Sequence, residues 1–188
     1  MLYEWISLII ELCSTVLVAA CLLRFYLHFL KVNFAPNSGN PFSYFLIPLT
    51  TWLIAPIKRI LPLGAQIEIS SLLASYLLVF AKTAALLALS NANPSISQVL
   101  VMSLFSLMDL ALSGLIGLLI VYSFFSWTQT YSPTQILFYE MVEPLLKPIR
   151  KFSPKISGID VSSLILLILI QMLSISLNHA QEWILNLL

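Results

Sequence analysis

Four stretches of this chain, residues 5–29, 69–89, 99–127 and 161–177, are apolar over lengths that suit a bilayer better than a globular interior. A helix crosses the hydrocarbon core in roughly 20 residues. The third stretch exceeds that length and so tilts or protrudes. The fourth is the shortest, and the 183–188 tail either extends it or lies at the interface. Of 188 residues, 60% are hydrophobic and 9% charged. A soluble chain carries about 25% charged residues, so there is too little polar surface here to cover a globule. The expected fold is an all-α membrane protein with four transmembrane helices.

A duplicated segment sets the organisation. Residues 56–72 (PIKRILPLGAQIEISSL) align with residues 148–164 (PIRKFSPKISGIDVSSL), 92 positions later, with seven of seventeen pairs identical. The pairs Lys58/Arg150, Arg59/Lys151, Glu68/Asp160 and Ile69/Val161 keep their chemistry, and the same offset pairs Pro41 with Pro133. Each half therefore reads as span, proline-rich connection, span. Two spans per half restore the starting side, so the halves form two parallel repeats related by an axis along the membrane normal. The boundaries are a first repeat over 1–90, a short external turn over 91–98 with Asn-Pro as its helix stop, and a second repeat over 99–188.

Charge distribution gives the orientation. Lys31, Lys58 and Arg59 lie in the first long connection, and Lys147, Arg150, Lys151 and Lys155 in the second, seven of the nine basic residues. Arg24 can snorkel toward the same side, whereas the termini and the 90–98 turn carry no Lys or Arg. The positive-inside rule places both connections in the cytoplasm and both termini outside. The first 13 residues lack a basic leader and carry Glu4 and Glu11, so the first run reads as a retained span and not a cleaved signal.

In the second connection, Phe138, Met141, Val142, Leu145, Ile149 and Phe152 recur at helical spacing, with Glu140, Glu143, Lys147, Arg150 and Lys151 between them. This is an amphipathic segment suited to the membrane surface, and Pro144 and Pro148 should bend or break it. The first copy, residues 42–61, is more apolar, with Pro48 and Pro56 as its breakers; it suits a re-entrant hairpin covered by protein. Glu68 and Asp160, each followed by a Ser-Ser pair, read as helix start signals; a paired acidic cation site near the pseudo-two-fold axis is the functional alternative. The basic pairs Lys58/Arg59 and Arg150/Lys151 read as topology determinants facing anionic lipid headgroups, or as a docking surface for a cytoplasmic protein.

These residues carry a resemblance. Asn-Pro-Phe at 40–42, then Pro-x-Lys/Arg-Lys/Arg-x-x-Pro leading to Ile-Asp/Glu-x-Ser-Ser, resembles the YggT family of small bacterial membrane proteins, with relatives in plastids, over nearly the whole chain. The matching positions are Pro148, Arg150, Pro154, Gly158, Ile159, Asp160 and Ser162 in the second copy. In the first they are Pro56, Lys58, Arg59, Pro62, Ile67, Glu68 and Ser70. The first copy departs from the pattern at Glu68 and at Gln66, where Gly158 would align. The resemblance implies the bacterial inner membrane and a link to osmotic-stress tolerance, cell division or membrane organisation, and the assembly of membrane complexes.

Lys82 and Asp109 fall inside spans two and three at similar depths about the turn near residue 94. An ion pair between them would offset the penalty for intramembrane charge; a conduction or proton-relay role is the alternative. Glu11 lies deep enough in span one to want a partner. Ser103, Ser106, Ser113, Gly114 and Gly117 suggest close helix approach in span three. Cys13 and Cys21 read as small packing residues, and His28 and His179 belong to no ligand cluster. The sequence offers no catalytic constellation, metal cluster, cofactor motif or glycine-rich phosphate loop, and no basic stripe with interleaved aromatics for nucleic acid. The expected function is non-enzymatic organisation of membrane or envelope complexes, with lipid, membrane-protein partners or a second copy as the contacts. A small channel or transporter for ions or osmolytes is the alternative.

Overall fold

The computed structural model describes residues 2–31, 41–60, 69–90, 95–128, 132–151 and 161–187. Six α-helices occur among them: α1 (Leu2–Phe29), α2 (Pro41–Ile60), α3 (Ile69–Leu89), α4 (Ile96–Thr128), α5 (Pro133–Arg150) and α6 (Val161–Leu185). Four are long and apolar enough to cross a membrane, over Glu4–Phe29, Ile69–Leu89, Ile96–Ser126 and Ser162–Leu185. The apolar runs dictate this result, because a backbone in lipid must satisfy its amides internally and a helix does so within one segment. The 33-residue α4 exceeds the bilayer requirement, as its run of apolar sequence implies. In α6 the polar residues His179, Gln181 and Glu182 do not end the helix, so the C-terminal tail extends this span to Leu185.

The shorter helices α2 and α5 begin with proline at their first position, where a missing amide is no loss and the fixed φ suits the helix. Ser132 caps α5, its hydroxyl accepting from the Gln135 amide at 3.2 Å. Neither helix breaks at its internal prolines, Pro48 and Pro56 in α2 or Pro144 and Pro148 in α5. All four prolines lie on exposed positions, away from the packed face.

The chain divides into two compact units. Unit 1 comprises Met1–Ala111 and His179–Leu188. Within it Val18, Val79 and Leu107 form one core cluster, and Cys21, Ile54 and Ala74 another. As the contacts run forward along α1 from Val18 to Cys21, they run backward along α3 from Val79 to Ala74, so these two spans are antiparallel. Unit 2 comprises Leu112–Asn178, with Leu119 and Tyr122 of α4, Val142 and Leu146 of α5, and Ile170 of α6 buried together. Large apolar side chains elsewhere on the spans are exposed, among them Leu8, Ile9 and Leu12 on α1 and Ile168, Leu169 and Met172 on α6. That distribution is what lipid-facing helices require.

The amphipathic stripe of α5 is therefore covered by protein. Leu137, Met141, Val142 and Leu146 are its buried residues, while Phe138, Leu145 and Ile149 are half-buried. The buried face is rotated slightly from the one its apolar spacing suggests, because α4 and α6 both press on it.

Candidate functional site

The densest polar arrangement lies in unit 2, on the face of α5 that carries residues 139, 143 and 150. Offsets of four and seven return to nearly the same side of a helix. The Arg150 guanidinium pairs with the Glu143 carboxylate, donates to the Tyr122 hydroxyl of α4 at 2.7 Å, and lies 5.8 Å from the centre of the Tyr139 ring. Tyr122 and Tyr139 lean on each other at 6.3 Å. Arginine's planar fork allows one side chain to serve both oxygens. The two charges are only 24% and 34% exposed, which strengthens the pair relative to one on an open surface.

The placement of this pair gives it a mechanical role. Pro144 and Pro148 deprive the carbonyls of Glu140 and Pro144 of their helical donors. Glu143 stands just before the first proline and Arg150 just after the second. The ion pair thus spans the stretch in which α5 is weakest and ties it to α4 through Tyr122. Other contacts run the same course: Phe138 tilts against Phe125 at 5.6 Å, and Gln135 Nε2 donates to the Phe125 carbonyl at 3.3 Å. From residues 135 to 142, α5 retraces α4 from Phe125 back to Leu119.

Unit 1 has a related clasp. Arg24 of α1 donates to Thr50 Oγ1 at 2.8 Å and to Thr51 Oγ1 at 3.3 Å on α2. Each threonine spends its own proton on a backbone carbonyl, Thr50 on Leu46 at 2.6 Å and Thr51 on Ile47 at 2.5 Å. Their lone pairs are then free to accept from the guanidinium. Arg24 is held by α2 and does not simply reach for the headgroups. The Ser-Ser pairs at the starts of α3 and α6 are buried: Ser70, Ser71, Ser162 and Ser163. Ser123 of α4 donates to the Leu119 carbonyl at 2.8 Å, and its oxygen lies within hydrogen-bond distance of the Ser163 hydroxyl at 3.2 Å.

The remaining sequence-derived residues fall as follows. Lys58, Arg59, Lys147 and Lys151 are exposed, and Pro56 and Pro148 are exposed within their helices. Arg150 alone of the basic set is drawn into the protein, so it does not belong to an open docking face. Pro62, Glu68, Pro154, Gly158 and Asp160 lie outside the described residues, as do Lys155 and residues 91–94. Lys82 and Asp109 are both half-buried, and the ion pairs among the described residues do not include one between them. Depth alone does not fix direction around a helix: Asp109 is two residues, about 200°, from Leu107, which faces Val79. Gly114 and Gly117 have open space where a Cβ would stand, so among the described residues no helix approaches them closely. Tyr122 and Tyr139 were not singled out by sequence, and Glu143 was read only as part of the polar face of its segment; an acid and a base flanking two prolines is the signal that could have found its role. Among the described residues, no group of three His, Cys, Asp or Glu gathers to hold a metal.

Six helices with four bilayer-length spans and two proline-containing connectors define a multi-pass helical membrane protein. The profile of the CCB3/YggT family matches residues 1–89 and 101–181, and the chain belongs to that family. It is 32% identical over 168 residues to an uncharacterized protein in the proC 3' region of Vibrio alginolyticus, covering 88% of this chain and 89% of the relative. It is 30% identical over 178 residues to the uncharacterized protein YggT of Escherichia coli strain K12, covering 94% and 89%. No solved structure matches.

Proposed function

We propose that this chain is a non-enzymatic protein of the bacterial inner membrane that organises or assembles membrane and envelope complexes, its action linked to osmotic-stress tolerance or cell division. In this reading it is built of two parallel repeats, 1–90 and 99–188, with both long connections cytoplasmic and both termini outside. The repeat is supported by helix positions: α2 and α5 begin 92 residues apart, as do α3 and α6. The family's match in two segments, the first holding two of the spans and the second most of the other two, supports it further. The orientation rests on the seven basic residues in the two connections.

The observation that carries the proposal is the division of labour on α5. Its apolar stripe and Arg150 are committed to the protein, while Lys147 and Lys151 remain exposed. A helix fixed in this way presents its cations at a defined position, which suits a platform for anionic headgroups and membrane-protein partners. Lys58 and Arg59 at the end of α2 are the corresponding exposed cations of the first half.

The test is replacement of Lys58, Arg59, Lys147 and Lys151 together by serine in cells lacking their own copy. Membrane levels should be normal, yet growth under osmotic shock should fall to that of cells without the protein. The purified wild type should pass no ion or osmolyte in liposomes. Wild-type growth of the variant, or flux above empty liposomes, would overturn the proposal, the latter in favour of a small channel or transporter.

A further inference from the structure

The helix α2 is turned inside out relative to a helix that faces water. Ser43 and Thr50 are 1% and 0% exposed, whereas Tyr44, Phe45 and Trp52 are 71%, 64% and 60% exposed. Two hydroxyls thus point to the protein and three large aromatic rings away from it. Leu46 and Ile54 share the buried side, so apolar groups line both faces. A helix facing water keeps its polar groups outside, as α5 does with Met141 and Leu146 buried and Glu140 and Lys147 exposed. At 100° per residue, Tyr44, Phe45, Pro48, Trp52 and Arg59 fall within an arc of about 100°, with Lys58 beside it.

The surroundings of α2 narrow what this face can meet. Ile54 packs on Cys21 of α1 and Ala74 of α3, both inside bilayer-length spans, so α2 lies against the flanks of those spans. Pro48 and Pro56 deprive the carbonyls of Tyr44 and Trp52 of their helical donors. Such carbonyls are strongly unfavourable among acyl chains, but the headgroup layer offers them water and lipid donors. Tyr and Trp favour that same layer, where one end of the ring is apolar and the other wet. Lys58 and Arg59 close the helix with exposed positive charge, complementary to phosphate. Rings, bared carbonyls and cations share one requirement, a boundary between hydrocarbon and water.

We propose that lipid covers this face: α2 lies in the headgroup and glycerol layer, its rings between lipid chains and Lys58 and Arg59 on the phosphates of anionic phospholipid. The inference deepens the platform reading and rests on it for the cytoplasmic leaflet. It assigns lipid, and not a protein, to the cations of the first half.

The experiment reads fluorescence from the full chain with Trp5→Phe, Trp127→Phe and Trp183→Phe, which leaves Trp52 as its single indole. The protein is placed in vesicles of phosphatidylcholine and phosphatidylglycerol, one or the other brominated on its acyl chains. Brominated lipid should quench Trp52, more strongly with bromine near the glycerol end than near the methyl end, and aqueous acrylamide should quench it weakly. At equal mole fraction, brominated phosphatidylglycerol should quench more than brominated phosphatidylcholine, and Lys58→Ser with Arg59→Ser should abolish that difference. Quenching by acrylamide without quenching by lipid would put the face in water, and quenching by neither would put it under protein; either overturns the proposal. Equal quenching by the two lipids with both cations in place overturns the phosphate contact. If the three replacements lower helical content by circular dichroism, the difference between wild type and Trp52→Phe gives the same reading. Growth enters none of these readouts, so failure of the platform test leaves this inference standing, and failure here leaves the platform test to be judged by itself.

Discussion

The Arg150 guanidinium donates to the Tyr122 hydroxyl at 2.7 Å, joining the last residue of α5 to a point on α4 twenty-eight residues upstream. The same guanidinium pairs with Glu143 across Pro144 and Pro148. One side chain therefore does for this helix what two missing amides cannot.

Arg150→Ala should destabilise unit 2 by about 1–3 kcal/mol, the range for leaving a partly buried charged acceptor without its donor. Arg150→Lys should recover only part of that loss, since an ammonium lacks the fork that reaches Glu143 and Tyr122 together. Unfolding of the detergent-solubilised protein measures both, and hydrogen exchange should rise first around residues 144–150. Equal stability of the lysine variant and wild type would count against the two-oxygen geometry.

In unit 1, Arg24→Ala and Thr50→Val should not add. Each removes the same 2.8 Å bond, so the double variant should lose less than the sum of the single losses. A coupling energy of about 0.5–3 kcal/mol is the expected size for residues in direct contact. Additive losses would mean that the bond contributes nothing.

Leu146→Ala and Lys147→Ala are adjacent changes with opposite expected outcomes. Leu146 is fully buried against α4 and α6, and its truncation should cost about 2–5 kcal/mol. Lys147 is exposed, and its loss should stay within about 0.5 kcal/mol. A helix lying freely on the bilayer surface would show no such contrast, so thermal unfolding of the two variants tests the docking of α5.

Gly117→Ala should be neutral or should stabilise α4 by up to about 1 kcal/mol, because the added methyl meets open space and glycine is a poor helix former. A marked loss of stability would show that this face is covered.

The spans were readable because only length and apolarity decide them: residues 69–89 were assigned from hydropathy and are α3 without adjustment. The end of α6 was less readable, since His179 and Glu182 lower hydropathy without breaking the helix. Continuity through Pro144 and Pro148 was not expected from local preference, which favours a break; packing of Val142 and Leu146 on neighbouring helices prevails over it. Arg150 was visible as part of a repeated motif, but its partners depend on α5 turning back along α4, which no local pattern encodes. Among the small residues of α4, Ser103 is buried as close packing implies, but the two glycines show the reverse error. Gly114 and Gly117 have the composition of a packed interface and stand in open space.

The cover over α5 comes from both directions along the chain, from Leu119 and Tyr122 before it and from Ile170 after it. A helix this polar cannot be released into lipid as its own span, and the surface that accepts it is incomplete until residue 170 has been synthesised. Its docking is thus a late event in biogenesis, following insertion of the last span, and any chain that stops short of α6 leaves α5 with half of its seat.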